Sequence, residues 1–194
     1  MARKIDEDKI ARIKEATMRT IVEKGIESTT IAMIAKKANV SGGYLYRTYA
    51  GKQDLINELF HDKVDFLYNE LENLLALNQN SIKPLLQTFI KNRISYFLKE
   101  PNASKFFYQL LHNENFFASD EIKHKSADLI IKIKNIGVKS GEISEDTTVY
   151  QLHYHILVYA VDYINFTRKN IFGEQEVTIN DVDKLTKNIL NILK

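Results

Sequence analysis

Residues 39–55 read NVSGGYLYRTYAGKQDL, and the reading of this stretch decides the fold. A serine and two adjacent glycines stand immediately before three tyrosines and an arginine. Upstream, Ser28-Thr29-Thr30 offers N-cap hydroxyls to a short helix from Ile31 to about Lys37, with Ile31, Ile34 and Ala35 on one face. Ala38-Asn39-Val40 breaks that helix, since asparagine is the side chain that best tolerates the left-handed conformation of a tight turn. Ser41 caps a further helix of barely two turns. Two short helices joined in this way have the layout of a helix-turn-helix, whose second helix enters the major groove of DNA while the first crosses the backbone.

That layout accounts for the small residues. Gly42 and Gly43 leave the start of the second helix without bulk, so its backbone can approach DNA and its N–H groups can face phosphate. Val40 and Leu45 are expected to pack on the preceding helices, which directs Tyr44 and Arg47 to the groove. Tyr46 is expected to lay its ring against the protein and offer its hydroxyl to a phosphate oxygen.

Outward from this stretch the chain reads as helix throughout. From Lys9 to Val22, Ile10, Ile13, Ala16, Thr17, Thr20 and Ile21 recur at the three-then-four spacing of one helix face, and Gly25 stops the helix. A long helix follows from Lys52 to about Leu77, burying Leu55, Leu59, Val64 or Phe66, Leu67, Leu71 and Leu74. Ser81 to Lys99 has Pro84 in its first turn and Pro101 beyond its end. Asn102 or Ala103 to His112, Ser119 to about Lys139, Thr147 to Ile171 and Thr178 to Leu193 complete about nine helices. The expected class is all-α, with a three-helix head at residues 1–51 and a helical body at 52–194.

Composition agrees. With 44% hydrophobic and 27% charged residues, two prolines and seven glycines, the chain is too apolar for disorder and too poor in turn residues for many strands. The absence of cysteine removes disulfides, thiolate zinc sites and cysteine nucleophiles. No run approaches the roughly 18–20 apolar residues of a membrane span, and the charged N-terminus lacks a signal peptide, so a cytoplasmic protein with no membrane partner is expected. Charge is uneven: Met1–Leu55 holds eleven Lys or Arg against seven Asp or Glu, and the remainder sixteen against eighteen. A basic head on a mildly acidic body fits a polyanion partner at the head alone. Lys4, Lys9, Lys36 and Lys37 read as plain surface charges, some of which phosphate attraction can recruit at low salt.

From Ile10 to Leu55 the chain resembles the TetR-like transcriptional regulators, through Gly25, Thr29-Thr30, Ile34-Ala35, Ala38, Val40-Ser41, Gly43, Leu45-Tyr46 and Lys52-Gln53-Asp54-Leu55. The resemblance implies a dimeric repressor with a DNA-binding head and an all-helical ligand-binding body. It implies that Thr30, Ser41, Tyr46 and Lys52 hold phosphates while Gly42, Tyr44 and Arg47 face bases. The sequence departs from the pattern at Asn39, where glycine is usual, at Tyr49, where phenylalanine is usual, and at Thr48, where histidine or an aromatic is common.

In the body, TVYQLHYHILVYAVDYINF carries Leu152, Ile156, Leu157, Val158, Tyr159, Val161, Tyr163, Ile164 and Phe166 around its whole circumference, so it must be covered on more than one side. Val182, Leu185, Ile189, Ile192 and Leu193 form a stripe on the final helix. Together these predict a four-helix interface between two copies, and the resemblance implies the same homodimer. KFFYQLLHNENFF and the helix from Thr147 point to an apolar cavity for a small aromatic or lipophilic effector, with Tyr108, His112, His153, Tyr154 and Tyr159 as polar handles. His153 and His155, two residues apart, point to different sides of a helix, unlike helical metal pairs. No metal, cofactor or enzyme activity is expected. The competing readings are an all-helical enzyme using the His153–His155 region with Asp162, and a protein-binding adaptor; no Ser/His/Asp order or phosphate-cradling loop supports the first.

Overall fold

The computed structural model describes residues 7–194. Among them are nine helices and no strand: α1 Glu7–Lys24, α2 Ile31–Ala38, α3 Gly42–Thr48, α4 Lys52–Leu77, α5 Lys83–Lys99, α6 Pro101–Leu111, α7 Asp120–Lys139, α8 at 149–167 and α9 Asp181–Leu193. Lys4 lies outside the described residues. None of these helices is long and apolar enough to cross a membrane.

The chain forms two compact units, one from residues up to 63 with 102–112, the other from 64–101 with 113–194. The first unit is built on α1, whose Ile13, Ala16, Thr17, Thr20 and Ile21 are buried. Two of these are threonines, and each hydroxyl donates to the carbonyl four residues back, Thr17 to Ile13 at 2.7 Å and Thr20 to Ala16 at 2.6 Å, so neither is left unpaired. Ile31, Ile34, Ala35, Ala38, Leu45, Tyr49 and Leu55 close the core over them. Gly25 ends α1 at φ +83, the left-handed cap position.

In the second unit, four-residue rows of α5, α8 and α9 share one core: Leu86, Phe89, Ile90 and Ile94 of α5, Leu152, Ile156, Ala160 and Ile164 of α8, and Val182, Leu185, Ile189 and Leu193 of α9. Ile82, at the start of α5, has no capping side chain of its own. The Glu142 carboxylate does that work, accepting from the Ile82 and Lys83 amides at 2.7 and 3.3 Å and from the Ser81 and Ser140 hydroxyls. Helix α8 begins at a Thr148/Gln151 capping box and then widens into a π turn over Tyr154–Val158 before resuming as α-helix from Tyr159 to Thr167.

Of the alternatives Val64 and Phe66 on α4, Val64 is half-buried and Phe66 is 57% exposed, while Leu71 is buried as expected. Two burial expectations are corrected. The α9 stripe is taken up by the unit's own core, leaving a mostly polar outer face with Ile192 alone 55% exposed. Ile10 is only half-buried, near the start of α1.

Gly137, in the last turns of α7, is held by packing. A Cβ there would lie 2.4 Å from Cδ1 and 2.6 Å from Cγ1 of buried Ile143. Gly137→Ala is therefore expected to lower stability in urea denaturation by about 1–2 kcal/mol, overpacking outweighing the gain of about 1 kcal/mol in helix propensity.

Candidate nucleic-acid interface

Helix α2 starts where the Thr30 hydroxyl accepts from the Met33 amide at 3.3 Å. It ends at Asn39, which sits at φ 54, ψ 50 and donates its N–H to the Lys36 carbonyl, while Val40 donates to Ala35. Asparagine thus occupies the left-handed position for which glycine is the usual choice. The reversal brings Ser41 round to cap α3, its hydroxyl accepting from the Tyr44 amide at 3.2 Å. A Cβ built on Gly42 or Gly43 would meet nothing within 4 Å, and neither glycine has positive φ. Nothing among the described residues requires glycine at either position.

Leu45 is fully buried and fixes the rotation of α3. Its two tyrosine neighbours differ from expectation in exposure, Tyr44 being the more covered and Tyr46 the more open. Tyr44 is half-buried against the head core, with the Lys9 ammonium 5.3 Å and the Arg47 guanidinium 5.9 Å from its ring centroid. Tyr46 is 64% exposed. With Leu45 at the centre of contact, the residues one step either way flank it by about 100° each, and it is the Tyr44 flank that reaches the Lys9 side chain of α1. Arg47 is exposed, and the Thr48 hydroxyl turns back to donate to the Tyr44 carbonyl at 3.2 Å.

Polar contacts brace this surface from behind. The Tyr49 hydroxyl donates to Glu58 at 3.4 Å, and Glu58 and Asp62 both pair with Lys14, so α1, the end of α3 and α4 are tied together. Lys52, expected at a phosphate, donates to the carbonyls of Ile26 and Glu27 at 2.6 and 3.3 Å, drawing the start of α4 to the loop after α1. Lys36 is exposed, and Lys37 is exposed and paired with Glu23. The arrangement offers the exposed side chains of Ser41, Tyr46 and Arg47 on one short helix.

Residues 13–59 match the model of the bacterial regulatory proteins of the tetR family. Over this segment the chain is similar to the TetR family of regulators. It is 25% identical over 148 residues to the fatty acid metabolism regulator protein of Bacillus subtilis, covering 73% of this chain and 74% of that one. Its fold is similar to a TetR family transcription regulator from Marinobacter aquaeolei, with a TM-score of 0.75, 18% identity and 97% of each chain covered. It is also similar to FadR from Bacillus subtilis in complex with stearoyl-CoA, with a TM-score of 0.64, 20% identity and 93% of this chain and 97% of that one covered.

In this TetR-like chain the five expected effector contacts divide by unit. Tyr108 and His112 belong to the first, where their rings stack at 4.3 Å and His112 is exposed. His153, Tyr154 and Tyr159 lie on α8 in the second. The Nδ1 of His153 is 3.0 Å from the Val149 carbonyl and therefore carries the proton, so Nε2 accepts from the Ser126 hydroxyl at 2.9 Å. The Tyr154 hydroxyl donates to Asp162 at 3.1 Å, and Tyr159 is half-buried with its ring 6.1 Å from that of His155. A hollow of about 180 Å³ opens at the end of α8, lined by Phe166, Ile171, Phe172 and their neighbours, and none of the five lines it. No group of three or more His, Asp or Glu among the described residues is placed to hold a metal.

Sequence reasoning missed the brace around Tyr49, whose only signal was tyrosine in place of the usual phenylalanine. Burial, the neighbouring Glu58 charge and their hydrogen bond together push the Tyr49 hydroxyl up to about 12 from an ordinary 10.0. Between those values the unfolded chain releases a proton that the folded chain keeps, so stability present below pH 10 is lost as pH rises toward 12. Tyr49→Phe is expected to flatten that loss in urea denaturation at pH 9 to 12, and to remove the latest phenolate from the ultraviolet titration.

Proposed function

We propose that this chain is a dimeric, sequence-specific DNA-binding regulator of transcription, a repressor that leaves its operator when a small lipophilic ligand enters the body. The observation that carries the reading is the start of α3: Ser41, Gly42 and Gly43 on a helix end with open space where two β-carbons would stand, beside exposed Tyr46 and Arg47. Close approach of a duplex is what makes glycine useful there. Thr30, Ser41 and Tyr46 hold phosphates, Gly42, Tyr44 and Arg47 meet base edges, and Gly43 lets the backbone come close to the duplex. Lys52 acts by steadying the loop after α1 and adds a phosphate contact if it gives up a carbonyl. The head spans residues 1–51 and the body 52–194, and the protein works in the cytoplasm.

The twofold assembly uses α8, whose Leu157, Val158 and Val161 are only half-buried and whose Tyr150 and Phe166 are exposed, with the outer face of α9 beside it. A dimer supplies two copies of α3 for half-sites one helical turn apart. Helix α4 contributes to both compact units as one continuous element, and its displacement by a bound effector changes the spacing of the two reading helices. FadR's stearoyl-CoA favours an acyl group as the lipophilic part of that effector. Linkage then requires operator DNA to weaken effector binding by the same factor as effector weakens DNA binding.

The test is a gel shift on the DNA upstream of the protein's own gene, with sedimentation to give the mass of the free protein. A saturable, salt-sensitive shift by a dimer is expected, and Arg47→Ala or Tyr44→Ala should lower specific affinity about tenfold or more while nonspecific binding changes little. A monomer, or unaltered specific binding in both variants, would remove the reading in favour of the enzyme or the adaptor.

A further inference from the structure

Arginine buries its guanidinium only where donors are matched by acceptors, because each unpaired buried N–H carries a desolvation penalty. Arg93, in the middle of α5, breaks that rule. Its side chain is 7% exposed. Nη2 donates to Glu70 Oε2 at 2.5 Å, and the other Glu70 oxygen is already taken by the Asn92 side-chain amide at 2.7 Å. Nε and Nη1 are buried with no acceptor in hydrogen-bond reach among the described residues. The guanidinium lies 4.8 Å from the centre of the Phe89 ring and 6.0 Å from that of Phe66. Phe89 is fully buried, whereas Phe66 is more than half exposed, so one ring belongs to the core and the other to the surface. All five residues belong to α4 and α5 within the second compact unit.

The charge of Arg93 is balanced by Glu70, so the site lacks an acceptor and not an anion. A second carboxylate on the same guanidinium would face Glu70 in a poorly hydrated setting, where like charges repel strongly. A neutral carbonyl oxygen satisfies the free donors without adding charge, and the aromatic rings beside it suit an attached hydrocarbon.

We propose that Arg93 is the polar anchor of a ligand site between α4 and α5, and that it receives the neutral carbonyl oxygen of an otherwise apolar molecule, an ester, thioester or ketone. The carbonyl accepts from Nε or Nη1, the hydrocarbon packs on Phe89, and Phe66 covers the solvent side. Neither Arg93 nor Phe66 was among the effector contacts read from the sequence. The inference rests on the reading of the body as an effector-binding unit and names the chemistry that unit recognises.

The test uses the full-length protein labelled with ¹⁵N and three probes: methyl octanoate, octanoate, and 1-decene, which has a similar chain and no oxygen. Methyl octanoate is expected to move the Nε–H resonance of Arg93 and to bind at least about tenfold more tightly than either other probe. A Glu70→Leu/Arg93→Met double variant, which removes the pair without stranding one charge, should lose that preference. If the double variant does not fold, the Nε–H resonance of the native chain decides alone. An unmoved resonance, octanoate binding as tightly as the ester, or a preference that survives in the double variant overturns the proposal. The operator complex separates this site from the regulator reading. A moved resonance without DNA release leaves the site standing and removes its role as effector site; release by methyl octanoate without a moved resonance removes the site and leaves the regulator.

Discussion

The head depends on one reversal of direction. Between α2 and α3 the chain turns within Asn39, Val40 and Ser41, and it does so because Asn39 holds a left-handed backbone while the Ala35 and Lys36 carbonyls take the freed N–H groups. From that turn follow the cap at Ser41, the burial of Leu45, worth about 2 kcal/mol, and the presentation of Arg47 and Tyr46 on the opposite side. The exposed surface of α3 is set from beneath by a core it shares with α1 and α2.

The reading surface is also braced by groups paired with one another within the head. Lys14 gathers two α4 carboxylates, Glu58 receives the Tyr49 hydroxyl, and Lys52 grips two loop carbonyls. Each contact joins another segment of the head to the first part of α4, the helix that continues into the second unit. The residues that hold the interface still are therefore distinct from those that face outward, with Lys52 on the border.

What could be read from the sequence followed the range of the forces involved. Caps and turns are local, so Thr30, Asn39 and Ser41 were placed correctly, and the helices of the second unit were recognisable from apolar spacing and from Pro84 and Pro101. Side-chain direction within α3 was not, because the roles of Tyr44 and Tyr46 depend on which flank reaches Lys9 of α1. Lys52 was expected at a phosphate, and its two carbonyl partners come into reach only once the loop after α1 is folded beside it. The α9 stripe gave the right face with the wrong partner, since periodicity marks what is buried and is silent on whether its own chain or another covers it. Arg93 had no local signal at all: an arginine among Phe89, Ile90 and Ile94 is an ordinary surface charge unless the opposing helix encloses it.

The π turn in α8 bears on how this helix keeps one side against the core. Leu152, Ile156, Ala160 and Ile164 keep a strict four-residue interval, yet four residues overshoot a 3.6-residue turn by about 40°, so such a row should wander off the core. The wider turn at Tyr154–Val158 takes more residues to go round and gives part of that overshoot back. With one residue fewer, the intervals would become four, three and four, which a plain α-helix carries along a single side. The extra residue is thus absorbed midway, and the row on either side of it stays on the core.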